Sequence, residues 1–128
     1  MRGKGAMISK IHKIALVTGD VEGSIRFYTQ ILGLEVIERF PNEDDEDFVF
    51  LKSGDIILEL MPQKTMETTE GFHHISFRVE SVDEAAQGLK DQSITLDQEP
   101  FDAGVGGIRL AFFKGPTGER LKLFERNT

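Results

Sequence analysis

The sequence predicts an α+β fold in which two tandem βαβββ modules form a curved mixed sheet around a central cleft. The first observation behind this prediction is a repeat: the strand and helix patterns of residues 11–61 recur over residues 72–125, at a period of roughly 60 residues. The second is length, since 128 residues suffice for one domain but leave each module too small to be stable alone. We therefore expect the modules to pack side by side, and small-molecule sites favour clefts of that kind.

Module one, residues 11–61, is predicted from alternation and helix-capping signals. Asp20 can accept the free amides of a first helical turn, and Gly33 suits the left-handed residue that ends a helix. Apolar residues recur at helical spacing between them. The predicted elements are strands 11–17, 34–40, 48–52 and 55–61 and a helix over 21–32.

Module two, residues 72–125, repeats this order, with Ser81 as the candidate cap of its helix. A polar linker over residues 62–71 joins the modules, and residues 1–10 are predicted to be a flexible leader before a single domain spanning 11–128. The predicted elements are strands 72–79, 94–98, 108–114 and 119–125, a helix over 82–91 and a glycine-rich loop over 100–107.

Charge and composition exclude several classes of function. With 15 basic and 22 acidic residues the net charge is −7, which argues against nucleic acid and anionic membranes as partners. Five of the acidic residues form the run 43–47, which we interpret as a solvated loop because it lacks the spacing of a calcium loop. The chain has no cysteine, so disulfides, thiol catalysis and thiolate metal sites are excluded, and we expect a cytoplasmic location.

Short motifs across both modules resemble the vicinal oxygen chelate superfamily, which includes glyoxalase I, methylmalonyl-CoA epimerase, extradiol dioxygenases and bleomycin-resistance proteins. The resemblance implies a glyoxalase-like fold and a homodimer, but one scaffold of this kind hosts many reactions. The motifs are IALV at 14–17, GD at 19–20, SIRFY at 24–28, LGL at 32–34, FHHISF at 72–77, GPTG at 115–118 and LKL at 121–123.

The resemblance also points to four site positions, because metal-using relatives line the cleft with His or carboxylate ligands from the first and last strand of each module. Strand alternation and the distance to Asp20 assign the first position to Lys13 and turn His12 to the opposite face, unless a β-bulge redirects it. The other three positions fall at Glu59, His74 and Lys122.

Two of these positions contradict a metal site. A charged lysine has three donors and no lone pair, so Lys13 and Lys122 cannot ligate a divalent cation and would repel it. We therefore predict no metal or other cofactor, with a divalent metal at Glu59 and His74 as the alternative. The pit would then be net positive and suit a carboxylate, phosphate or enolate oxygen; a structural ion-pair network that plugs the cleft is the other interpretation.

The predicted function is a metal-independent enzyme, or a ligand-binding protein, for a small anionic carbonyl or carboxylate compound. Glu59 or His74 would move a proton, and Lys13 and Lys122 would bind the developing oxyanion. Arg78 and Arg109 are candidate anion clamps that would also bind substrate. The alternatives are a sequestering protein of the bleomycin-resistance kind and a metal-dependent lactoylglutathione lyase.

Overall fold

The computed structural model describes residues 8–104 and 106–127. Most of the predicted leader, residues 1–7, therefore lies outside the described residues. The chain forms the predicted α+β class of structure. Its strands are β1 (Lys10–Thr18), β2 (Glu35–Phe40), β3 (Phe48–Ser53), β4 (Ile56–Pro62), β5 (Gly71–Arg78), β6 (Leu96–Asp102), β7 (Ile108–Lys114) and β8 (Arg120–Arg126), and its α-helices are α1 (Val21–Arg26), α2 (Gln63–Met66) and α3 (Val82–Asp91).

The chain divides into two compact units, here called the first and the second unit. The first unit is Lys13–His73, and the second contains residues up to His12 together with those from His74 onward. The short helix α2 lies within the predicted polar linker, where the sequence predicted no helix. Within the part of the chain that the structure describes, no helix is long and apolar enough to cross a membrane.

The first unit contains strands in the order β2-β3-β4-β1, with β1 parallel to β4 and the other pairs antiparallel, so the predicted mixed pairing is confirmed within the unit. One face of these strands packs against α1. The opposite face carries a smaller apolar cluster of Ala15, Val17 and Met61. The helix-side core consists of Val21, Val49, Leu51 and Leu60, with Leu16, Ile25, Tyr28, Leu34, Val36 and Leu58 around it.

The second unit repeats this pattern with strands in the order β5-β8-β7-β6, and β5 is parallel to β8. Helix α3 begins after Ser81, whose side chain accepts a hydrogen bond from the Glu84 amide. The core between α3 and the strands consists of Val79, Val82, Ala85, Ala86, Ala111, Phe113, Leu121 and Leu123.

The helix predicted over residues 21–32 is an α-helix in its first half and a π-helix in its second half. Asp20 caps α1 as predicted, but Phe27–Ile31 is a π-helix in which Leu32 N–H bonds to the Phe27 carbonyl. The Thr29 hydroxyl donates to the Ile25 carbonyl at 2.7 Å, and such a bond from a helical threonine competes with the regular backbone pattern. Gly33 follows at φ +82°, the left-handed conformation predicted for it.

Strand β6 is the other element that differs from the sequence prediction. It runs through Pro100 to Asp102 instead of ending at Gln98. Its pairing with β7 shifts register twice, between Leu96 and Gln98 and again before Phe101. A strand at the edge of its unit's sheet tolerates proline because one row of its backbone groups needs no ladder partner.

Candidate functional site

The first half-site lies on the face of the first unit that points away from α1. Ala15 is paired with Glu59 across β1 and β4, and Lys13 precedes Ala15 by two residues, so alternation puts all three on one face. Lys13 is 1% exposed and Glu59 is 7% exposed. The two sequence-predicted residues of this unit therefore share a buried face.

Phe50 completes this half-site. It lies opposite Glu59 across β3 and β4, and the Lys13 Nζ is 5.3 Å from the centre of its ring. An ammonium near an aromatic ring is attracted by the negative face of the ring. The charge of a fully buried lysine therefore lies near an aromatic ring.

The second half-site lies on the corresponding face of the second unit. His74 is 2% exposed, Ser76 is 0% exposed and Lys122 is 7% exposed. Ser76 is paired with Lys122 across β5 and β8. Phe112 joins the group: its ring centre is 5.9 Å from the Lys122 Nζ and 6.2 Å from the His74 ring, which stands perpendicular to it.

His12 contacts this second half-site, and the prediction that it turns away is wrong here. Its ring centre is 4.9 Å from that of Phe124, and Phe124 lies two residues after Lys122 on the same face of β8. His12 and Lys13 are both buried, and the sequence pattern alone did not indicate that His12 lies beside an aromatic ring of β8.

The two predicted arginine clamps lie on different faces of the second unit. Arg78 lies on the Lys122 face, with its guanidinium carbon 5.6 Å from the Phe124 ring centre and its Nη2 donating to the Arg126 carbonyl at 3.0 Å. Arg109 lies on the α3 face, where it forms ion pairs with Asp83 at 2.9 Å and Asp102 at 3.0 Å.

Arg109 is thus a correction to the predicted substrate-binding set. Leu110 and Phe112 share the face of Lys122. Arg109 is separated from each of them by an odd number of residues along β7, so its side chain lies on the opposite face. The hydrogen bond to Asp83, and to a smaller extent the one to Asp102, raises the pKa of Arg109 above its ordinary value. Its charge is engaged with surface carboxylates on the opposite face from Lys122.

The donor set of the half-sites does not fit a divalent metal. It comprises one carboxylate, imidazoles and two lysines, and lysine supplies no lone pair while charged. Across residues 8–104 and 106–127, no three His, Cys, Asp or Glu side chains are grouped so that they could hold a metal ion.

The acidic run 43–47 was predicted to be a solvated loop, and the structure shows that some of its side chains contact other parts of the first unit. Asp44 accepts a hydrogen bond from the Thr65 hydroxyl at 2.8 Å. Arg39 bridges Asp47 at 2.6 Å and Glu22 at 2.5 Å. A cavity of about 300 Å³ lies beside this bridge, lined by Gly19, Asp20, Val21, Glu22, Arg39, Asp45, Glu46 and Asp47.

Known proteins with similar sequences point to one family. The sequence model of the Glyoxalase/Bleomycin resistance protein/Dioxygenase superfamily matches residues 10–123. The chain is 30% identical to the uncharacterized protein YwkD of Bacillus subtilis (strain 168) over 128 residues, which cover 94% of this chain and 99% of YwkD. It is 26% identical to a probable lactoylglutathione lyase of Vibrio cholerae over 118 residues, which cover 86% of each.

Solved structures agree on the fold. A Streptomyces coelicolor methylmalonyl-CoA epimerase variant in complex with 2-nitronate-propionyl-CoA matches with a TM-score of 0.77 at 23% identity. The match covers 94% of this chain and 96% of the epimerase. The predicted glyoxalase-like fold is thereby confirmed, while the reaction is left open because one fold supports many activities.

Proposed function

The chain belongs to the Glyoxalase/Bleomycin resistance protein/Dioxygenase superfamily, and we propose that it is a metal-independent member that acts on a small anionic carbonyl or carboxylate compound. Lys13 and Lys122 bind the anion in this proposal. Glu59 or His74 moves a proton next to the carbonyl.

The observation that carries the proposal is the burial of two lysines. Lys13 and Lys122 are almost fully buried, and Glu59 is the sole acidic side chain in the buried set of the described residues. Counted over the lysines and the carboxylate alone, the buried set holds one more positive charge than negative charge. Burying an ion costs several kcal/mol, and an anionic ligand that binds beside these lysines offsets part of that cost by adding negative charge.

The relatives support the chemical class of the ligand. The Streptomyces coelicolor epimerase was solved with an acyl-CoA compound that carries a nitronate group, and the Vibrio cholerae relative is named a probable lactoylglutathione lyase. Both names include an acyl group joined to a thiol-bearing carrier, and removal of a proton beside an acyl carbonyl builds negative charge on oxygen. Buried ammonium groups stabilise such charge strongly because few water molecules screen them.

The lactoylglutathione lyase relative also supports the metal-dependent alternative. That alternative requires ligands at the positions that Lys13 and Lys122 occupy, and charged lysines repel a divalent cation. A sequestering protein of the bleomycin-resistance kind is the other alternative. A bulky cationic drug is disfavoured by the same two lysines.

Anion binding tests the proposal directly. We expect pyruvate, malonate or succinate to raise the melting temperature of the natural chain, because a ligand that binds only the folded state stabilises it. Lys122→Met and Lys13→Met should each weaken binding by about 10- to 100-fold, as expected for a lost charge-assisted hydrogen bond. Lys114→Met and Lys52→Met are matched controls, because these exposed lysines lie on β7 and β3 of the same units.

Catalysis is tested separately by solvent deuterium exchange at the carbon beside the carbonyl of pyruvate and of an acyl-CoA. Glu59→Gln and His74→Gln identify the proton carrier by which of them loses exchange while still binding the anion. Equal anion binding by the lysine variants and their controls would refute the proposal. Stoichiometric zinc or nickel binding that depends on Glu59 and His74 would favour the lyase alternative instead.

The homodimer and the cytoplasmic location also belong to the proposal and rest on the family resemblance and the composition. Sedimentation equilibrium of the purified chain measures the first, with a dimer expected at micromolar concentration.

A further inference from the structure

Ser76 is a fully buried residue of the second half-site, and its hydroxyl makes no hydrogen bond among the described residues. It is 0% exposed. None of the described residues offers its Oγ a hydrogen-bond partner. An unsatisfied buried polar group carries a penalty of about 1–3 kcal/mol, so a hydroxyl at this place is costly unless something else bonds to it.

The fold itself does not require a hydroxyl here. Ala15 occupies the matching position in the first unit: it is paired with Glu59 on the last strand of its unit, as Ser76 is paired with Lys122. Ala15 is likewise 0% exposed and packs in an apolar cluster. The backbone geometry at this position is therefore compatible with alanine, which avoids the penalty.

The surroundings of Ser76 determine what can bond to it. Its partner across the strands is Lys122, whose ammonium only donates hydrogen bonds. Neighbouring strands lie about 4.8 Å apart, so a group that contacts the Ser76 hydroxyl is also close to the Lys122 side chain. A carboxylate suits this pair of donors well, because its two lone-pair-bearing oxygens can each accept one hydrogen bond and its negative charge attracts the ammonium.

We propose that Ser76 and Lys122 form a two-point clamp for the carboxylate of the ligand, with the Ser76 hydroxyl donating to one oxygen and the Lys122 ammonium to the other. This assignment rests on the proposed function and narrows it, since it names the carboxylate as the group held by the second unit. Ser76 is a specificity residue in this arrangement: it favours a planar anion with two acceptors over a single oxyanion.

The decisive variant is Ser76→Ala, which removes the hydroxyl and recreates the residue found at the matching position. We expect the affinity for malonate, pyruvate or succinate to fall about tenfold, the usual effect of one hydrogen bond to a charged group. The melting temperature without ligand should stay the same or rise. Ser76→Cys, which keeps a side chain of similar size with a weak donor, should lose affinity in the same way.

The following comparisons separate the possible failures. Ser53→Ala at the exposed end of β3 is the control and should bind as the natural chain does. If Lys122→Met loses binding while Ser76→Ala binds within twofold of the natural chain, the hydroxyl bonds to a structural water only and the clamp is refuted, although the proposed function stands. If the Ser76→Ala chain melts lower without ligand, the hydroxyl is structural and the clamp is again refuted. If the natural chain binds none of the three carboxylates, both the clamp and the proposed function fail.

Discussion

The two units use one strand geometry to present different charges. In the first unit, Glu59 lies on the last strand, with Phe50 opposite it on the antiparallel neighbour. In the second unit, Lys122 lies on the last strand, with Phe112 opposite it. The pairing with the parallel first strand also matches, since Ala15 and Ser76 occupy the same place.

The difference lies in which charge each unit carries. Lys13 and His74 occupy matching positions on the first strand of each unit. The first unit therefore presents a lysine and a glutamate on this face, and the second presents a histidine and a lysine. The helix-facing side shows no such exchange, because Leu60 and Leu123 follow Glu59 and Lys122 and are both buried in apolar clusters. The repeat is therefore preserved where packing requires it, while its other face is free to differ in charge.

The largest effect is expected from a variant in which both units carry the same two residue types at the four candidate positions. The double change Lys13→His and Lys122→Glu gives each unit a histidine on its first strand and a glutamate on its last. The resemblance implies that these four positions supply metal ligands in metal-using relatives. We expect zinc or nickel to bind with a Kd of about 1 μM or tighter, corresponding to about 8 kcal/mol, as measured by calorimetry.

The controls for this gain of metal binding are the natural chain and the double change Lys52→His with Lys114→Glu, which adds the same groups at exposed positions. Both should bind weakly or not at all. If the designed variant folds and binds no better than these controls, the assignment of the four positions from the strand register is wrong.

The second effect tests the equivalence of the packed faces. Leu60→Ala and Leu123→Ala each remove a side chain that is at most 1% exposed, so each should lower the free energy of unfolding by about 2–5 kcal/mol. Urea unfolding followed by circular dichroism measures both. A single transition with similar losses indicates that the units unfold together, whereas two transitions would show that each unit has its own stability.

Sequence patterns predicted the elements well where one physical signal dominated. Alternation and turn residues predicted β7 with its observed bounds, and Ser81 with its apolar stripe predicted α3 in the same way. The π-helix at Phe27–Ile31 was missed because its apolar spacing also fits a regular helix. The signal that could have revealed it is weak: one threonine hydroxyl that bonds back to Ile25.

The site was harder to predict than the fold. The family resemblance, combined with the two-residue period of a strand, selected four candidate residues, and the structure buries all of them: Lys13, Glu59, His74 and Lys122. The contact of His12 with Phe124 was missed because it joins residues far apart in the sequence, which strand alternation alone does not bring together. Ser76 lies two residues after His74, so alternation puts both on one face, but a hydroxyl without a hydrogen-bond partner becomes visible only when its neighbours are known.

A smaller effect is expected at the helix starts, which differ between the units. Asp20 accepts from the Gly23 amide at 2.9 Å, and Ser81 accepts from the Glu84 amide at 3.1 Å. Replacing either residue by alanine should cost about 0.5–2 kcal/mol of stability. Ser24 also bonds to Thr18 beside Asp20, so thermal unfolding of Asp20→Ala, Ser81→Ala and Ser24→Ala separates the cap from the neighbouring contact. Losses confined to Ser24→Ala would contradict the assignment of the caps.

The smallest effect is expected at Arg109, and it separates the two faces of the second unit. Arg78→Gln removes a partly buried cation from the Lys122 face and should weaken carboxylate binding, because solvent screens a partly buried charge less than an exposed one. Arg109→Gln removes a cation of the same type from the α3 face, where Asp83 and Asp102 hold it and water surrounds it. Its loss should leave the carboxylate Kd within twofold, since solvent screens exposed charges efficiently. Calorimetric titration with malonate at low and moderate salt measures both variants, and equal losses at both positions would mean that binding follows the total charge of the unit instead of the face on which a charge lies.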